Sequence, residues 1–459
     1  MAATPYAKEP IGMFARPPGT WLLPAAAMLI ATPALADDDL KVSGSVRLRY
    51  EAIEGQPRAG FGDSDQLVNL RTIVLAQYRV KPLTFVAELY DSRVWGDNPR
   101  TPISTGEVNA LELVQAYVAA DLGPLLGAGS KASLQAGRFK LDLGSRRLIA
   151  VDDYRNTTSA FTGLRLDIAN KHGAKATFYY TLPQVRLPDD YTGLHNARVK
   201  WDRESFDQVT WGGIVSAPLK GSRAKVDSAF VHFGERDAPG RPTRDRSLNS
   251  VTARIFSDPA PGKFDYEAEV IYQWGTTSTS LAATAAHVPV SATFFRGRVG
   301  YSFPGSWKPR LAFEFDRASG DGKGSTFSRF DPLFGMRRAD LGPAGLYNAI
   351  GRSNIVAPGV RIEVAPSKRI DAFATYKPMW LASRLDGLST TGVRDASGNS
   401  GSFAGHQFDA RARYWLLPKR VQLEADGVLL LNGRFLETAP NAPHNGDTRY
   451  VVLNLTGFF

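Results

Sequence analysis

Apolar and polar residues alternate along many separate stretches of this chain. In residues 263–274, for example, apolar side chains fall at every second position, and Asp265, Glu267 and Glu269 fall between them. A repeat of two residues places neighbouring side chains on opposite faces of a β-strand. The pattern therefore predicts an all-β chain whose strands have one apolar and one charged face, and no convincing helix stands out after residue 36.

Eighteen stretches of this kind follow one another, and many have ten to fourteen residues. Strands of soluble proteins usually have about 5–6 residues, whereas a tilted strand that crosses a bilayer needs roughly 9–11. We predict strands at 42–53, 67–80, 83–95, 109–121, 132–141, 162–170, 174–182, 209–218, 224–234, 247–257, 263–274, 293–303, 309–317, 354–364, 369–378, 406–417, 420–432 and 448–459.

The connections between these stretches alternate between short and long. Short ones include Lys81-Pro82 and Pro418-Lys419, and 122–131 is the weakest member of the short set; the long ones include 142–161, 183–208, 275–292, 318–353 and 379–405. Short periplasmic turns and long extracellular loops are typical of outer-membrane barrels. An even strand number also puts both ends of the barrel on the periplasmic side. For 318–353, an inward gate and an external lid both fit the sequence.

The two unlike faces predict which way the sheet is turned. Burying rows of Arg, Asp and Glu in a dry core would cost several kcal/mol for each unpaired charge. A transmembrane antiparallel β-barrel instead turns its apolar faces to lipid and its charged faces to a lumen, and closure removes the unpaired edges. Arg449–Phe459 then pairs with the first strand, and Phe459 resembles the terminal signal read by the bacterial barrel-assembly machinery. A secreted sandwich is the alternative, which the alternating connections disfavour.

Residues 1–36 have the features of a secretory signal peptide. Lys8 and Arg16 precede an apolar stretch at 21–30, and Ala34-Leu35-Ala36 resembles a cleavage site. The stretch is too short to span a bilayer as a helix and contains Pro24, which argues against a membrane anchor. We expect the mature protein, 37–459, to be one outer-membrane barrel.

Composition excludes several function classes. The chain has no cysteine and a formal net charge of +10, so disulfides and thiolate sites are absent, and its scattered basic residues do not indicate nucleic-acid binding. Ser228 and His232 share a strand face without a third catalytic partner. Asp316 and Asp321 lack the spacing of a calcium loop. We therefore predict a protein that is not an enzyme and needs no cofactor or metal.

The charged faces predict the wall of the lumen. Strand parity turns these arginines inward: Arg47, Arg49, Arg71, Arg79, Arg165, Arg254, Arg296, Arg298, Arg361, Arg411 and Arg413. Five of them, on the first two strands and near the end of the chain, could form one basic strip across the closure: Arg47, Arg49, Arg71, Arg411 and Arg413. Arginines that line a pore select anions. Inward carboxylates such as Glu267 and Asp316 leave the alternative that many arginines only brace the wall.

Three motifs resemble the alginate-export porin family: GRFKLDLGSRRLIAVDDYRNTTSAFTGLRL (Gly137–Leu166), ELYDSRVWGDN (Glu88–Asn98) and FEFDRASGDGKGSTFSRFDPLFG (Phe313–Gly335). The resemblance implies an eighteen-stranded barrel with an arginine-rich constriction that passes an anionic polysaccharide outward. It implies that the basic motif positions Arg93, Arg138, Arg155 and Arg165 belong to the substrate path, with Asn156 beside them.

Together these observations predict a monomeric, passive outer-membrane channel. Its expected partners are an anionic, alginate-like polysaccharide or another anionic solute, and outer-membrane lipid. A general or nutrient-uptake anion porin would share the same fold and remains the alternative.

Overall fold

The computed structural model describes residues 39–338 and 340–459, and they form a closed barrel of eighteen antiparallel strands. The predicted fold class is therefore confirmed. The strands are β1 Leu40–Glu54, β2 Asp65–Val80, β3 Leu83–Trp95, β4 Asn109–Gly123, β5 Lys131–Phe139, β6 Phe161–Ala169, β7 Lys175–Pro183, β8 Gln208–Pro218, β9 Ala224–Glu235, β10 Ser247–Ser257, β11 Lys263–Ser278, β12 His287–Ser302, β13 Arg310–Ala318, β14 Ile355–Ser367, β15 Ile370–Trp380, β16 Phe403–Leu417, β17 Val421–Asn432 and β18 Thr448–Phe458.

The period of two sets the two faces of the wall. On β1, Leu48 and Tyr50 are 39% and 41% exposed, whereas Arg49 and Glu51 between them are each 1% exposed. The apolar side chains therefore face outward, where a bilayer would cover them, and the charged ones face the interior. The predicted signal peptide, residues 1–36, lies outside the described residues.

The last strand closes the barrel against the first. Ser45 pairs with Phe458 and Glu54 with Arg449 along one continuous register. Beyond it, the backbone N–H of Gly44 donates to the carbonyl of Phe459 at 2.9 Å, and the N–H of Phe459 donates to the carbonyl of Gly44 at 3.1 Å. This seam confirms the predicted pairing of the two terminal strands and leaves neither of them with a free edge.

The connections alternate as predicted, except after β11. There the predicted loop 275–292 is wrong in extent, because β11 and β12 continue until Ser278 pairs with His287. The part of the extension on β11, Gly275-Thr276-Thr277-Ser278, carries no apolar alternation, and so it resembled a loop in the sequence. Phe327 supports it, since its carbonyl accepts from the N–H of Ser291 at 3.0 Å.

Residues 39–338 and 340–459 include two short helices, which lie in loops: α1 Tyr191–His195 and α2 Arg434–Thr438. Within the described part of the chain, no helix combines the length and apolarity needed to cross a membrane.

Two long loops, 140–160 and 319–354, fold into the barrel. Their apolar residues Ile149, Phe330 and Tyr347 are completely buried and belong to one cluster with inward strand residues such as Phe294. The interior therefore contains a dry region, and the expectation that the charged faces simply meet water needs correction. The second loop thus folds into the barrel and is not an external lid.

Candidate functional site

Two inward arginines on β1 and β2 bind the backbone of loop 140–160. The guanidinium of Arg47 donates to the carbonyls of Tyr154 and Arg155 at 3.1 and 2.8 Å. That of Arg71 donates to the carbonyls of Asp153 and Arg155 at 3.0 and 2.9 Å. Among the described residues, no carboxylate lies within 4.0 Å of either guanidinium. Their positive charges are therefore held by dipoles and are not cancelled by an ion pair.

Arg49 extends this group along β1. It donates to the carbonyl of Tyr154 and to Oδ1 of Asn454, both at 2.6 Å, and its nearest carboxylate oxygen belongs to Glu51 at 3.4 Å. Its guanidinium also stacks over the ring of Tyr154, 4.4 Å from the centroid. One short stretch of backbone thus holds three neighbouring guanidinium groups.

Asn156 anchors that stretch from the other side. Its side-chain amide donates to the carbonyl of Glu107 at 2.9 Å, and its own carbonyl accepts from the hydroxyl of Ser92 at 2.6 Å. The predicted neighbour of the basic motif positions is thus a buried bracket that fixes loop 140–160 against β3 and the loop that follows it.

In the opposite wall, from β10 to β14, the inward arginines are bound by carboxylates and, among the described residues, not by backbone carbonyls. Each inward arginine there has a carboxylate within 4.0 Å. The pairs are Arg254 with Asp227 and Glu267, Arg296 with Asp316 and Glu314, Arg298 with Glu267, Arg310 with Asp265 and Glu363, and Arg361 with Glu363.

Loop 319–354 joins this wall through Asp340. Its carboxylate binds Arg147 at 2.8 Å, lies 3.4 Å from Arg296 and also pairs with Arg352. Burial opposes ionisation of Asp340, but the three guanidinium groups outweigh it and hold the pKa of that carboxyl well below its usual value. Lys377 on β15 donates to the carbonyl of Asp340 at 2.5 Å. Cations and carboxylates here form one buried network that ties both loops to β11–β15.

The predicted basic strip across the closure is interrupted. Along one register row, Arg49 of β1 faces Asn454 of β18, which faces Glu424 of β17, which faces Arg413 of β16. Arg413 and Arg411 both lie near Asp371, at 2.9 and 3.1 Å. The structure brings Arg47, Arg49 and Arg71 together and places Arg411 and Arg413 in a separate, partly neutralised group.

The basic motif positions divide between the two sides of the wall. Arg165 faces inward beside Asp167 at 2.8 Å, and Arg155 lies in loop 140–160. Arg93 shares its face of β3 with exposed Leu89 and Trp95, and it pairs with Asp91 on that same face. Arg93 therefore stands on the outer surface, and we leave it out of the path.

Arg138 is the second motif position on an outward face. On β5, Arg138 lies on the same face as the exposed residues Leu134 and Ala136, whereas Gln135 lies on the inward face. Its guanidinium is bound by Glu112 and Glu204, each at 2.8 Å. This position clamps loop 184–207 onto β4 and β5.

Sequence reasoning missed several interior cations. Strand parity could have found Lys377, which lies on the same face of β15 as Asp371 and Thr375. No periodic signal marks the loop residues that complete the interior, namely Arg147, Arg186, Arg337, Arg338 and Arg352.

Comparisons with known proteins agree with this architecture. The model of the alginate export family matches residues 38–449. No curated protein matches the chain in sequence.

Several solved structures have a similar fold. A BenF-like porin from Pseudomonas fluorescens Pf-5 has a TM-score of 0.60 and 11% identity, covering 92% of this chain and 99% of that one. Pseudomonas aeruginosa OccK2 (OpdF), solved with glucuronate, has 0.56 and 11%, covering 92% and 96%. Pseudomonas aeruginosa OpdK, solved with vanillate, has 0.55 and 11%, covering 91% and 98%. At this identity the likeness concerns the fold. The family match over nearly the whole described chain, together with the closed eighteen-stranded barrel, makes this protein a member of the alginate export family and an outer-membrane channel protein of bacteria.

Proposed function

We propose that the channel passes anionic solutes and that its main cargo is an anionic, alginate-like polysaccharide moving outward. The observation that carries this proposal is the group on β1 and β2. Carbonyl oxygens, and not carboxylates, bind the guanidinium groups of Arg47 and Arg71, so among the described residues no ion pair offsets their positive charge. Fixed guanidinium groups attract anions and suit the planar geometry of carboxylates.

The proposed path follows the inward arginines near these two strands and on the opposite wall. Its members are Arg47, Arg49, Arg71, Arg155, Arg165, Arg254, Arg296, Arg298, Arg361, Arg411 and Arg413. The members that are paired with carboxylates stabilise the wall, and the members that are bound by carbonyls make the electrostatic potential in the lumen positive. The proposal includes a monomer that assembles through its terminal Phe459 and transports without catalysis.

A general or nutrient-uptake anion porin is the second candidate. The observation that favours it is the fold shared with OccK2 and OpdK, which were solved with glucuronate and vanillate. Both compounds are small carboxylates, and the same arginines would serve them.

Planar-bilayer recording of the purified full chain tests the shared part of the two candidates. In a KCl gradient, we expect a reversal potential on the anion side, and equal permeability for K⁺ and Cl⁻ would contradict both. Deletion of the gene then separates them. Loss of a secreted surface polymer, restored by the wild-type gene, supports export, whereas intact secretion with impaired growth on a small carboxylate supports uptake.

A further inference from the structure

A cavity of about 350 Å³ lies among the loops at the long-loop end of the barrel. Five loops line it, and they follow β3, β5, β7, β13 and β15. The volume falls at the lower end of the roughly 300–1,000 Å³ typical of small-molecule sites. Its charged lining residues are Glu107, Asp152, Arg155, Arg186, Arg337 and Arg352.

Two of these arginines have no carboxylate partner. Arg186 donates to the carbonyl of Thr105 at 2.8 Å and to Oγ of Ser159 at 3.2 Å. Arg337 donates to the carbonyl of Asn348 at 3.2 Å and to Oγ1 of Thr390 at 2.9 Å. Neither guanidinium has a carboxylate within 4.0 Å among the described residues. Each guanidinium has five N–H donors, so both retain donors for a further acceptor.

Arg155 lies close to both. It donates to Oγ of Ser159 at 3.2 Å, and its Nε is buried without a hydrogen-bond partner, 3.3 Å from the carboxylate of Asp152. Burial, and next the neighbouring charge of Arg155, lower the pKa values of Arg186 and Arg337 to about 10. With pKa values of about 10, the guanidinium groups of Arg186 and Arg337 remain charged at neutral pH.

The acidic residues of the lining do not cancel this charge. The Glu107 carboxylate accepts from the N–H and hydroxyl of Ser104 at 2.9 and 2.8 Å, and burial raises the pKa of that carboxyl. Arg352 is already paired with Asp340. Among the described residues that line the cavity, Asp152 is the only one whose carboxylate lies within 4.0 Å of any of these three guanidinium groups, that of Arg155.

We propose that this cavity is a binding site for the carboxylate of one uronate unit, held by Arg155, Arg186 and Arg337 at the end of the path. The site rests on the proposed function, because it assigns a place where the anionic cargo is held. Planar guanidinium groups bind a carboxylate through two parallel hydrogen bonds, which a rounder anion matches less well.

The test measures how added D-glucuronate reduces the current through the full-length channel in a planar bilayer. The variants Arg155→Gln, Arg186→Gln and Arg337→Gln each remove one guanidinium. We expect about tenfold more glucuronate for half-block in each, since a hydrogen bond to a charged group contributes at least the energy of one decade in affinity. Arg198→Gln is the matched control, because that arginine is exposed and pairs with Asp190. Its half-blocking concentration should not change.

Folding is checked by the migration of unheated barrels on gels. Arg337→Lys, which keeps the charge but loses the planar fork, covers the case in which a Gln variant misfolds, and it should block less readily than wild type. Glucose should not block. Block by glucuronate that is unaltered in all folded variants would overturn the site while leaving the anion channel intact. Equal block by inorganic phosphate with the same arginine dependence would overturn the carboxylate assignment.

Discussion

The two walls of the interior use the same residue in opposite ways. On β10–β14, arginines sit in carboxylate pairs, and Arg296 with 1% exposure contacts Asp316 at 2.8 Å. On β1 and β2, arginines that are also buried bind backbone carbonyls of loop 140–160. Pairing with carboxylates makes a wall that is rigid and nearly neutral, whereas pairing with dipoles makes a wall that is rigid and positive. The difference teaches that a count of inward arginines says little about selectivity until their partners are known.

The largest effect should come from breaking the ion-paired wall. Arg296→Met leaves Asp316 and Glu314 without their guanidinium, and removal of one member of a buried pair costs about 3–5 kcal/mol. Urea unfolding in lipid vesicles measures the loss. Arg369→Met in an exposed turn is the control and should change the free energy of unfolding by under about 0.5 kcal/mol. An equally small loss for Arg296→Met would mean that the network does not hold this wall.

The carbonyl-binding wall should be less sensitive. Arg47→Met leaves the carbonyls of Tyr154 and Arg155 without one donor, which costs about 1–3 kcal/mol. The same unfolding experiment measures it. A loss as large as that of Arg296→Met would erase the energetic distinction between the two walls.

Selectivity should show the reverse order. Arg47→Gln removes one uncompensated charge, and a unit charge 4 Å from a passing ion in water contributes about 1 kcal/mol. The permeability ratio of Cl⁻ to K⁺, measured from the reversal potential, should fall by about fivefold at low salt. The double variant Arg254→Gln with Asp227→Asn removes a pair of zero net charge and should leave the ratio unchanged. An equal fall in both would refute the assignment of the field to β1 and β2.

The smallest effect concerns Asp202, a carboxylate that is bound by uncharged N–H groups in the same way that Arg47 and Arg71 are bound by uncharged carbonyls. Asp202 in loop 184–207 accepts from the amide of Asn109 at 2.8 Å and the N–H of Leu187 at 2.9 Å, with no cation within 4.0 Å among the described residues. Burial, and next Glu112, raise its pKa to about 7. Because the folded-state pKa is raised, its stabilising contribution is complete below the unfolded value near 4 and is lost as the pH rises through 7.

Limited proteolysis should therefore cut loop 184–207 faster at pH 8 than at pH 5. The cleavage rate at each pH is divided by the rate at which the same protease cuts a short, unstructured peptide. The variant Asp202→Asn cannot ionise and should remove this pH difference. A pH dependence that persists in the variant would assign it to another group.

The strands and their faces could be predicted because lipid and lumen impose a period of two that the sequence records directly. The alternation along β3 places Arg93 on the outer face with Leu89 and Trp95. The family resemblance, which does not tell the two faces of a strand apart, had assigned Arg93 to the substrate path. The interior of the loops could not be predicted. Arg337 and Arg186 lie in segments without a period, and what brings them together is the return of those segments into the barrel.

The partners of the arginines were hidden for a different reason. Arg47 binds carbonyls because the loop places the backbone of Tyr154 and Arg155 beside it. Every residue has a backbone carbonyl, so the sequence does not indicate which carbonyl will become a partner. The partners in the paired wall were easier to predict, since Glu267 lies directly opposite Arg298 and Asp316 directly opposite Arg296 on neighbouring strands.

The hydrogen bonds between Gly44 and Phe459 bear on the timing of biogenesis. Every other strand pair joins strands that are consecutive in the chain, and such a pair can form before the rest of the chain is complete. The pair β1–β18 joins the first strand to the last. The barrel cannot close until β18 has been synthesised, so a chain that lacks this strand leaves β1 and β17 with unpaired edges in the periplasm. Pulse-labelling of chains truncated before residue 449 would show this as a loss of mature protein far greater than the missing residues alone would cause.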